Sequence, residues 1–475
     1  MNRTYTNFFT HRIWASVLFL VLSAIYFSRR YIYRGAGDGG DYMGAMAHDY
    51  VSDWHSVLFY KELVIWKKIC VFFGDLLNLP LLHRTDIQFF LICAIFHIIL
   101  AFVLFLLYKK LIKTNINYIW IGIPWLLAIY FSKRYLPNYW GNLESFNLIC
   151  LSSSIIILTS LKNTGYVRNI ILFSLFLIFT IHVVEFRRNA WIVVPILAYS
   201  IAHQCTFCKH IHFKRILVTT TIISAVFAGS YTVKKLVSHK ETHSASVMLV
   251  SDMKMAAILL NSTTKEEKWL ADNCKLQHPL RTRNKLRADS ANEPLFTNQL
   301  DILGRTALDD TQWQMLQKRY ISYWKEHTYE MLWVRLISSM HLYWNIEFPE
   351  TIKKSLTSRY PHLTDKSFEL PSKPVWESNI SPKVHSITLI SSLIAFIAYV
   401  SLLLKNKESF YRFDKIILMV ITICFLYYLS YLVVVPAPFA RYLGTPMLIT
   451  WLITPVICVR CFLICTRKKQ PDCVD

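Results

Sequence analysis

The chain has 475 residues, of which 54% are hydrophobic and 15% aromatic, and a formal net charge of +22. A soluble protein of this length disperses its apolar residues at helix or strand period, whereas here they gather in long blocks, which excludes an ordinary soluble domain. The sequence reads as an all-α polytopic membrane protein, and the positive charge then follows in part from topology and requires no nucleic-acid partner.

A bilayer crossing takes roughly 20 apolar residues. The first block, 13–28, follows "MNRTYTNFFTHRIW" and lacks a small-residue cleavage site, so it reads as a retained helix. It leaves through Arg29, Arg30 and Arg34 into "GAGDGGDYMGAMAHDY", which carries Asp38, Asp41 and Asp49, and then "SDWHSVLFYKELVIW", with Asp53, Trp54 and His55. The glycines here are expected to turn the chain sharply at the membrane surface, so that the carboxylates face back into a cavity. Blocks at 87–108 and 116–131 follow this first loop (34–86) and are joined by Lys109, Lys110 and Lys113. "YFSKRYLPNYWGNLESF" then supplies Lys133, Arg134, Asn138 and Glu144 ahead of a block at 143–161. Lys162 and Arg168 precede the block at 169–184, and Glu185, Arg187 and Arg188 sit in the short connection to 190–203.

"HQCTFCKHIH" at 203–212 combines a C-x-x-C with three histidines, but the second C-x-x-C or matched H-x-x-x-H of a zinc site is missing. After a block at 216–232 comes a long segment, 233–384. Cys274 is the cysteine that falls within it, so it has no internal disulfide framework. "TQWQMLQKRYISYWKEHTYEMLWVRLISSM" places Trp313, Leu316, Tyr320, Trp324, Met331, Leu332, Arg335 and Leu336 at helical spacing, which predicts an amphipathic helix lying on the membrane or on its own domain. Pro361, Pro371, Pro374 and Pro382 punctuate an extended return. Blocks at 385–404, 416–435 and 446–465 bring the count to about ten, with Arg441 and Tyr442 in the loop "VVPAPFARYLGTP".

Positive segments resist translocation, so orientation follows from the short basic loops. With the N-terminus inside, the lysine- and arginine-bearing connections after 108, 161, 203 and 404 all fall on the inner side. The tail with Arg467, Lys468 and Lys469 joins them. Three regions result: an N-terminal transmembrane module (1–232) holding the first outer loop, a partly helical outer domain (233–384), and C-terminal transmembrane helices with an inner tail (385–475).

The outer face is where the pattern departs from simple anchoring. Arg29 and Arg30 have an adequate explanation in headgroup contact, and Glu185 in pairing with Arg187 or Arg188. Carboxylates and arginines from four separate outer loops nonetheless suggest one common site, because charged groups at membrane depth usually face a cavity or a partner. A carboxylate at an apolar boundary is suited to taking a proton from a hydroxyl nucleophile. Arginine presents a forked donor set that neutralises a phosphate leaving group. The outer face has no nucleotide sugars, so the chemistry points to a lipid-phosphate sugar as donor.

Several short stretches carry a resemblance. "DGGDYMGAMA" resembles the D-E-x-x-Y first-loop motif of the GT-C superfamily of polytopic glycosyltransferases, with Gly39 in place of the usual second acid. "SDWHSVL" is similar to the D-W-H-x-P-L stretch of related bacterial membrane proteins, with Val57 in the proline position. "RRNAWIVVPIL" resembles R-x-N-A-L-x-x-L-P-L, "FARYLGTP" resembles R-Y-L-x-P, and "WKEHTYEMLWVRL" looks like H-P-x-x-Y-L-x-x-R, with Thr328 for proline. Within the superfamily, the order of these motifs and the long outer loop look most like the O-antigen glucosyltransferases of serotype-converting phages.

The resemblance implies a bacterial inner-membrane enzyme, active on the periplasmic face, that moves a sugar from undecaprenyl phosphate to a glycan acceptor such as O-antigen of lipopolysaccharide. Asp38 or Asp41 would be the general base; which of the two stays open. Arg187, Arg188 and Arg441, with Lys133 and Arg134, would meet the donor phosphate. Tyr42, Asp53, Trp54, His55, Glu144, Glu185 and Tyr442 would contact substrate. No cofactor is required, although a divalent metal on Asp38, Asp41 and Asp49 stays open. The implied partners are the bilayer, the lipid-linked donor, the acceptor glycan, and the synthase and flippase that supply the donor. Competing readings are an O-antigen polymerase or ligase, and a lipid-linked sugar transporter, which would favour charges near mid-span.

Overall fold

The computed structural model of the chain describes residues 38–53, 56–111, 143–161, 166–204, 212–237, 239, 241–275, 286, 308–344, 349–368, 382–405, 412–434 and 444–467. The blocks expected at 13–28 and 116–131 lie outside these residues. The described chain is all-helical, with no strand.

Residues 38–48, expected to turn, instead form helix α1 (Asp38–His48). Its glycines cost about 1 kcal/mol each in a helix. The compensation is visible: Asp38 and Asp41 occupy the positive first turn, His48 the last turn, and Tyr42, Ala45 and Met46 are fully buried. The turn comes at Asp49, which takes a left-handed conformation (φ 50°) that acidic and amide residues tolerate, and the Tyr50 N–H closes on the Ala45 carbonyl at 2.9 Å.

Ser56 then caps α2 (Val57–Leu76) by accepting the Phe59 N–H at 3.1 Å. A short 3₁₀ helix, Pro80–His83, folds back on α2 and leads into α3 (Thr85–Leu111). Next come α4 (Leu143–Ser160) and α5 (Tyr166–Phe186). The block expected at 190–203 divides into a 3₁₀ helix, Arg188–Val193, and α6 (Val194–Gln204). The cause is Pro195, which has no N–H to continue an α-helix back to Trp191; the Val194 N–H bonds that carbonyl with 3₁₀ spacing instead. The longer 3₁₀ rise leaves the pair about 28 Å long, still close to a hydrocarbon thickness of about 30 Å. α7 (His212–Leu236) follows, and α13 (Pro382–Lys405), α14 (Arg412–Val434) and α15 (Gly444–Arg467) end the chain.

Helices α3, α4 and α5 pack in sequence, α6 lies on α7, and α13 and α14 both pack on α15, which returns to α4 and α3. One core runs through the whole bundle. Its contacts are of the kind helices use where hydrophobicity alone gives no drive to associate: small residues and interhelical hydrogen bonds. Ser154 Oγ of α4 lies 3.4 Å from Thr180 Oγ1 of α5, and Asn147 donates to the Tyr427 hydroxyl of α14. Gly229 of α7 faces Ile181 so closely that a Cβ there would stand 2.5 Å from its Cδ1. Near the opposite end, Arg460 of α15 grips Asp414 of α14 through Nε (2.8 Å) and Nη2 (2.9 Å), while the Tyr399 hydroxyl of α13 donates to the same carboxylate at 2.7 Å. That buried trio ties the three C-terminal helices together.

Two described helices, Val167–Phe186 and His212–Leu236, are long and apolar enough to cross a membrane, and both are largely uncovered by the rest of the protein. Shorter apolar helices coincide with other expected blocks, at Phe146–Ser160, Ala190–His203, Ile390–Lys405 and Ile453–Phe462.

Between α7 and α13 lies a second core. Its centre is α8 (Ser246–Leu259), buried on almost every side. Around it pack α9 (Thr263–Cys274), α10 (Asp310–Glu326), α11 (Thr328–Trp344) and α12 (Glu350–Arg359), with a 3₁₀ turn at Asp365–Phe368. The single amphipathic helix expected over 311–340 is therefore two helices, broken at His327. They pack on their own domain, and α11 packs against α13 and α14 as well. Leu316, Tyr323, Met331, Val334 and Ile337 form the buried stripe, while Leu332 and Leu336 are exposed. An Asp309–Gln312 capping box starts α10. Two buried carboxylates of this domain are engaged: Glu266 accepts from Arg319 Nη2 (2.8 Å) and the Tyr323 hydroxyl (2.7 Å), and Asp252 pairs with Arg335 and accepts from the Tyr320 hydroxyl (2.8 Å). Burial lowers the Arg335 guanidinium to a pKa of about 10.

Candidate active site at the domain-bearing end of the bundle

An aromatic layer brings the ends of several helices together. The Phe59 ring of α2 lies 5.0 Å from the Tyr42 ring of α1, 4.6 Å from Phe146 in the first turn of α4, and 5.8 Å from Phe186 at the end of α5. These neighbours directly follow Asp41, stand two residues after Glu144, and directly precede Arg187. Segments around positions 42, 146 and 186 thus meet over one floor, with Tyr42 and Phe186 both edge-to-face against Phe59.

Asp41 is nearly buried at the first turn of α1. Asp38 begins the same helix. Tyr42, expected at the substrate, is fully buried between Phe59, Tyr60 and Phe89, so its ring belongs to the floor and not to an open pocket. Arg187 has an extended backbone (φ −140°, ψ 103°) that breaks α5 from the 3₁₀ helix, and its side chain is half-buried. Arg188 opens that 3₁₀ helix, and Glu144 stands in the first turn of α4. Lys133, Arg134, Trp54, His55, Arg441 and Tyr442 lie outside the described residues. Helix α14 packs on the 3₁₀ helix 188–193.

Two expected substrate residues are engaged within the protein. Glu185, expected to contact substrate or to pair with Arg187 or Arg188, accepts from Ser230 Oγ and lies 3.4 Å from Lys234 Nζ, both on α7. Asp53 accepts from the Thr242 backbone N–H (2.6 Å) and hydroxyl (2.5 Å), and its carbonyl accepts from Ser244 Oγ (3.2 Å). Asp53 therefore latches the first loop to the start of the helical domain. Asp49, weighed as a metal ligand with Asp38 and Asp41, bonds Lys67 Nζ at 3.0 Å.

Sequence reading missed the second layer. His182 of α5 bonds Glu62 of α2 through Nε2 (2.8 Å) and the Ile178 carbonyl through Nδ1 (2.7 Å). Glu62, next to Lys61 in the otherwise apolar "VLFYKELVIW", was the available signal. Farther out, ligand atoms of Glu241, His243 and Asp310 lie within 4.8 Å of one another. His243 Nε2 meets Asp310 at 3.0 Å, and its ring stacks on Trp313. The pair is accounted for by that hydrogen bond and by stacking.

Compared with family models, curated proteins and solved structures, the chain finds no significant match.

Proposed function

We propose that the protein is a polytopic membrane glycosyltransferase of GT-C type that takes a sugar, in the first instance glucose, from undecaprenyl phosphate and places it on a periplasmic glycan such as O-antigen. In this reading about ten helices cross the inner membrane, both termini are cytoplasmic, and α1 and the 246–368 domain face the periplasm. The observation that carries the reading is the aromatic floor joining Asp41–Tyr42 to Phe186–Arg187. It draws a carboxylate and a guanidinium from distant loops to one end of an apolar bundle, the pair that hydroxyl attack with phosphate departure requires.

The acceptor oxygen forms a bond to the anomeric carbon as the bond from that carbon to the phosphate oxygen breaks. Asp38 or Asp41 takes the hydroxyl proton, and polyprenyl phosphate leaves against Arg187, Arg188 and Arg441, with Lys133 and Arg134 alongside. The aromatic residues of the helical domain offer faces for the acceptor sugars.

The test is mass spectrometry of lipopolysaccharide from cells making wild type, Asp38→Asn, Asp41→Asn, Arg187→Ala or Arg441→Ala at matched membrane levels. Wild type should add one hexose-sized increment to the repeat unit. Loss of the general base should slow transfer about 10²–10⁴-fold, enough to erase the increment. A change of chain length without any new sugar would transfer the assignment to a polymerase or ligase. An increment that survives both Asp variants would refute carboxylate catalysis from this loop.

A further inference from the structure

Helix α2 has three faces where a soluble helix has two. Wound at about 100° per residue, its buried side carries Phe59, Tyr60, Leu63, Val64, Cys70 and Gly74. The uncovered side is split. From Ile65 onward, one sector of about 100° holds Ile65, Ile69, Phe72, Phe73 and Leu76, each between 40% and 64% exposed, while Glu62, one turn earlier in that sector, is paired with His182 of α5. The adjoining edge holds Lys61, Lys68 and Asp75, also exposed. Leu79 and Leu81 beyond the helix extend the apolar sector into the following turn and 3₁₀ helix. At roughly half of a large side chain apiece, the five helical residues present on the order of 400–500 Å² of contiguous apolar surface, beyond what scattered surface hydrophobes explain.

The helix is not a crossing one: Lys61, Glu62, Lys67, Lys68 and Asp75 would all have to enter hydrocarbon. Its contacts give its direction. Trp66 Nε1 donates to the Gln88 carbonyl in the first turn of α3 (2.8 Å), Phe59 meets Phe146 in the first turn of α4, and Glu62 meets His182 in the last turns of α5. Helix α2 thus crosses the ends of the bundle helices and does not run along them.

We infer that α2 is an in-plane anchor in the outer leaflet. Its apolar sector lies against acyl chains, its lysine edge faces the phosphate headgroups, and its third face holds the protein. This rests on the membrane-spanning reading of the bundle, and it adds a role for the proposed site. Lys67 of α2 holds the end of α1, bonding the Ala47 carbonyl at 3.2 Å as well as Asp49. The depth at which α2 partitions therefore fixes the depth of α1 and its carboxylates relative to the plane of lipid phosphates.

The test uses the full chain in vesicles of phosphatidylethanolamine and phosphatidylglycerol, with a coumarin-bearing amino acid introduced at Phe72, at Lys68 or at Ile171 of α5; incorporating it as an amino acid avoids labelling the eleven native cysteines. In-plane helices bury their apolar face about 5–10 Å into the headgroup and acyl boundary. The Phe72 probe should accordingly be quenched by lipid carrying a nitroxide near the glycerol end of its chain, and severalfold less by aqueous iodide than the Lys68 probe. Iodide quenching at Phe72 equal to that at Lys68 would overturn the inference. Protection of Phe72 from both quenchers would overturn it too, since protein, such as a second copy of the chain, would then cover the sector. The Ile171 probe separates this failure from a larger one: if it also is open to iodide, the membrane-spanning reading itself fails.

Discussion

Removing one hydroxyl from the Asp53 latch should loosen the helical domain at its root. Thr242 is fully buried and donates to Asp53 twice, from its N–H (2.6 Å) and its hydroxyl (2.5 Å). Thr242→Val keeps the shape and the backbone bond but loses the hydroxyl bond to a carboxylate. Such a bond contributes about 1.5–3 kcal/mol, and because Asp53 is only half-buried the lower end applies. At about 1.4 kcal/mol per factor of ten, amide hydrogen exchange over 241–259 should accelerate about tenfold wherever exchange proceeds by release of this connection. Helix α15, which packs on α3, α4, α13 and α14, serves as the internal control. Unchanged exchange in Thr242→Val would refute the latch. If Asp53→Asn abolishes sugar transfer while Thr242→Val leaves both transfer and exchange untouched, Asp53 acts on substrate and the structural reasoning is wrong.

Other expectations are as direct. Glu185→Leu leaves the buried Ser230 hydroxyl without its acceptor and should cost about 1–3 kcal/mol, whereas Lys234→Leu, whose ammonium is more than a third exposed, should cost less than about 1 kcal/mol; thermal aggregation of the detergent-extracted protein distinguishes them. Cys274 is pushed up to about 12 by burial first and then by Glu266 and Asp309. A thiol raised in the folded state keeps its full contribution below the unfolded value near 8.5 and loses it as pH rises toward the folded value. Protease resistance of the helical domain should therefore fall between about pH 9 and pH 12, with a shallower slope in Cys274→Ala; equal slopes would count against it. Finally, Gly229→Leu should lower membrane yield, because any side chain there meets Ile181, and Ile181→Ala should restore it; failure of that rescue would place the clash elsewhere.

Much of the helical plan was legible in the sequence, since a long apolar block bounded by charged or polar residues marks a helix by its hydrophobic length. The described helices α3, α4, α5, α7, α13, α14 and α15 fall where the blocks at 87–108, 143–161, 169–184, 216–232, 385–404, 416–435 and 446–465 lie. The single block expected at 190–203 missed the change from 3₁₀ to α-helix at Val194, although the missing N–H of Pro195 is a local signal for it. It did not foretell α1: "DGGD" reads as a turn by residue preference, and the helix exists because Tyr42, Ala45 and Met46 find a core to enter.

Side-chain partners were decided by tertiary structure alone. Glu185 has two arginines within three residues, yet it engages Ser230 and Lys234 across the α5–α7 interface; Asp53 reaches Thr242, 189 positions away. Likewise the stripe from Trp313 to Leu336 held only in part after His327: Met331 and Arg335 are buried, joined by Val334 and Ile337, whereas Leu332 and Leu336 are exposed. Period and hydrophobic length are properties of neighbouring residues, so one sequence determines them. Which carboxylate meets which cation depends on how whole helices pack, and only the folded chain brings those distant groups within the few ångströms over which they interact.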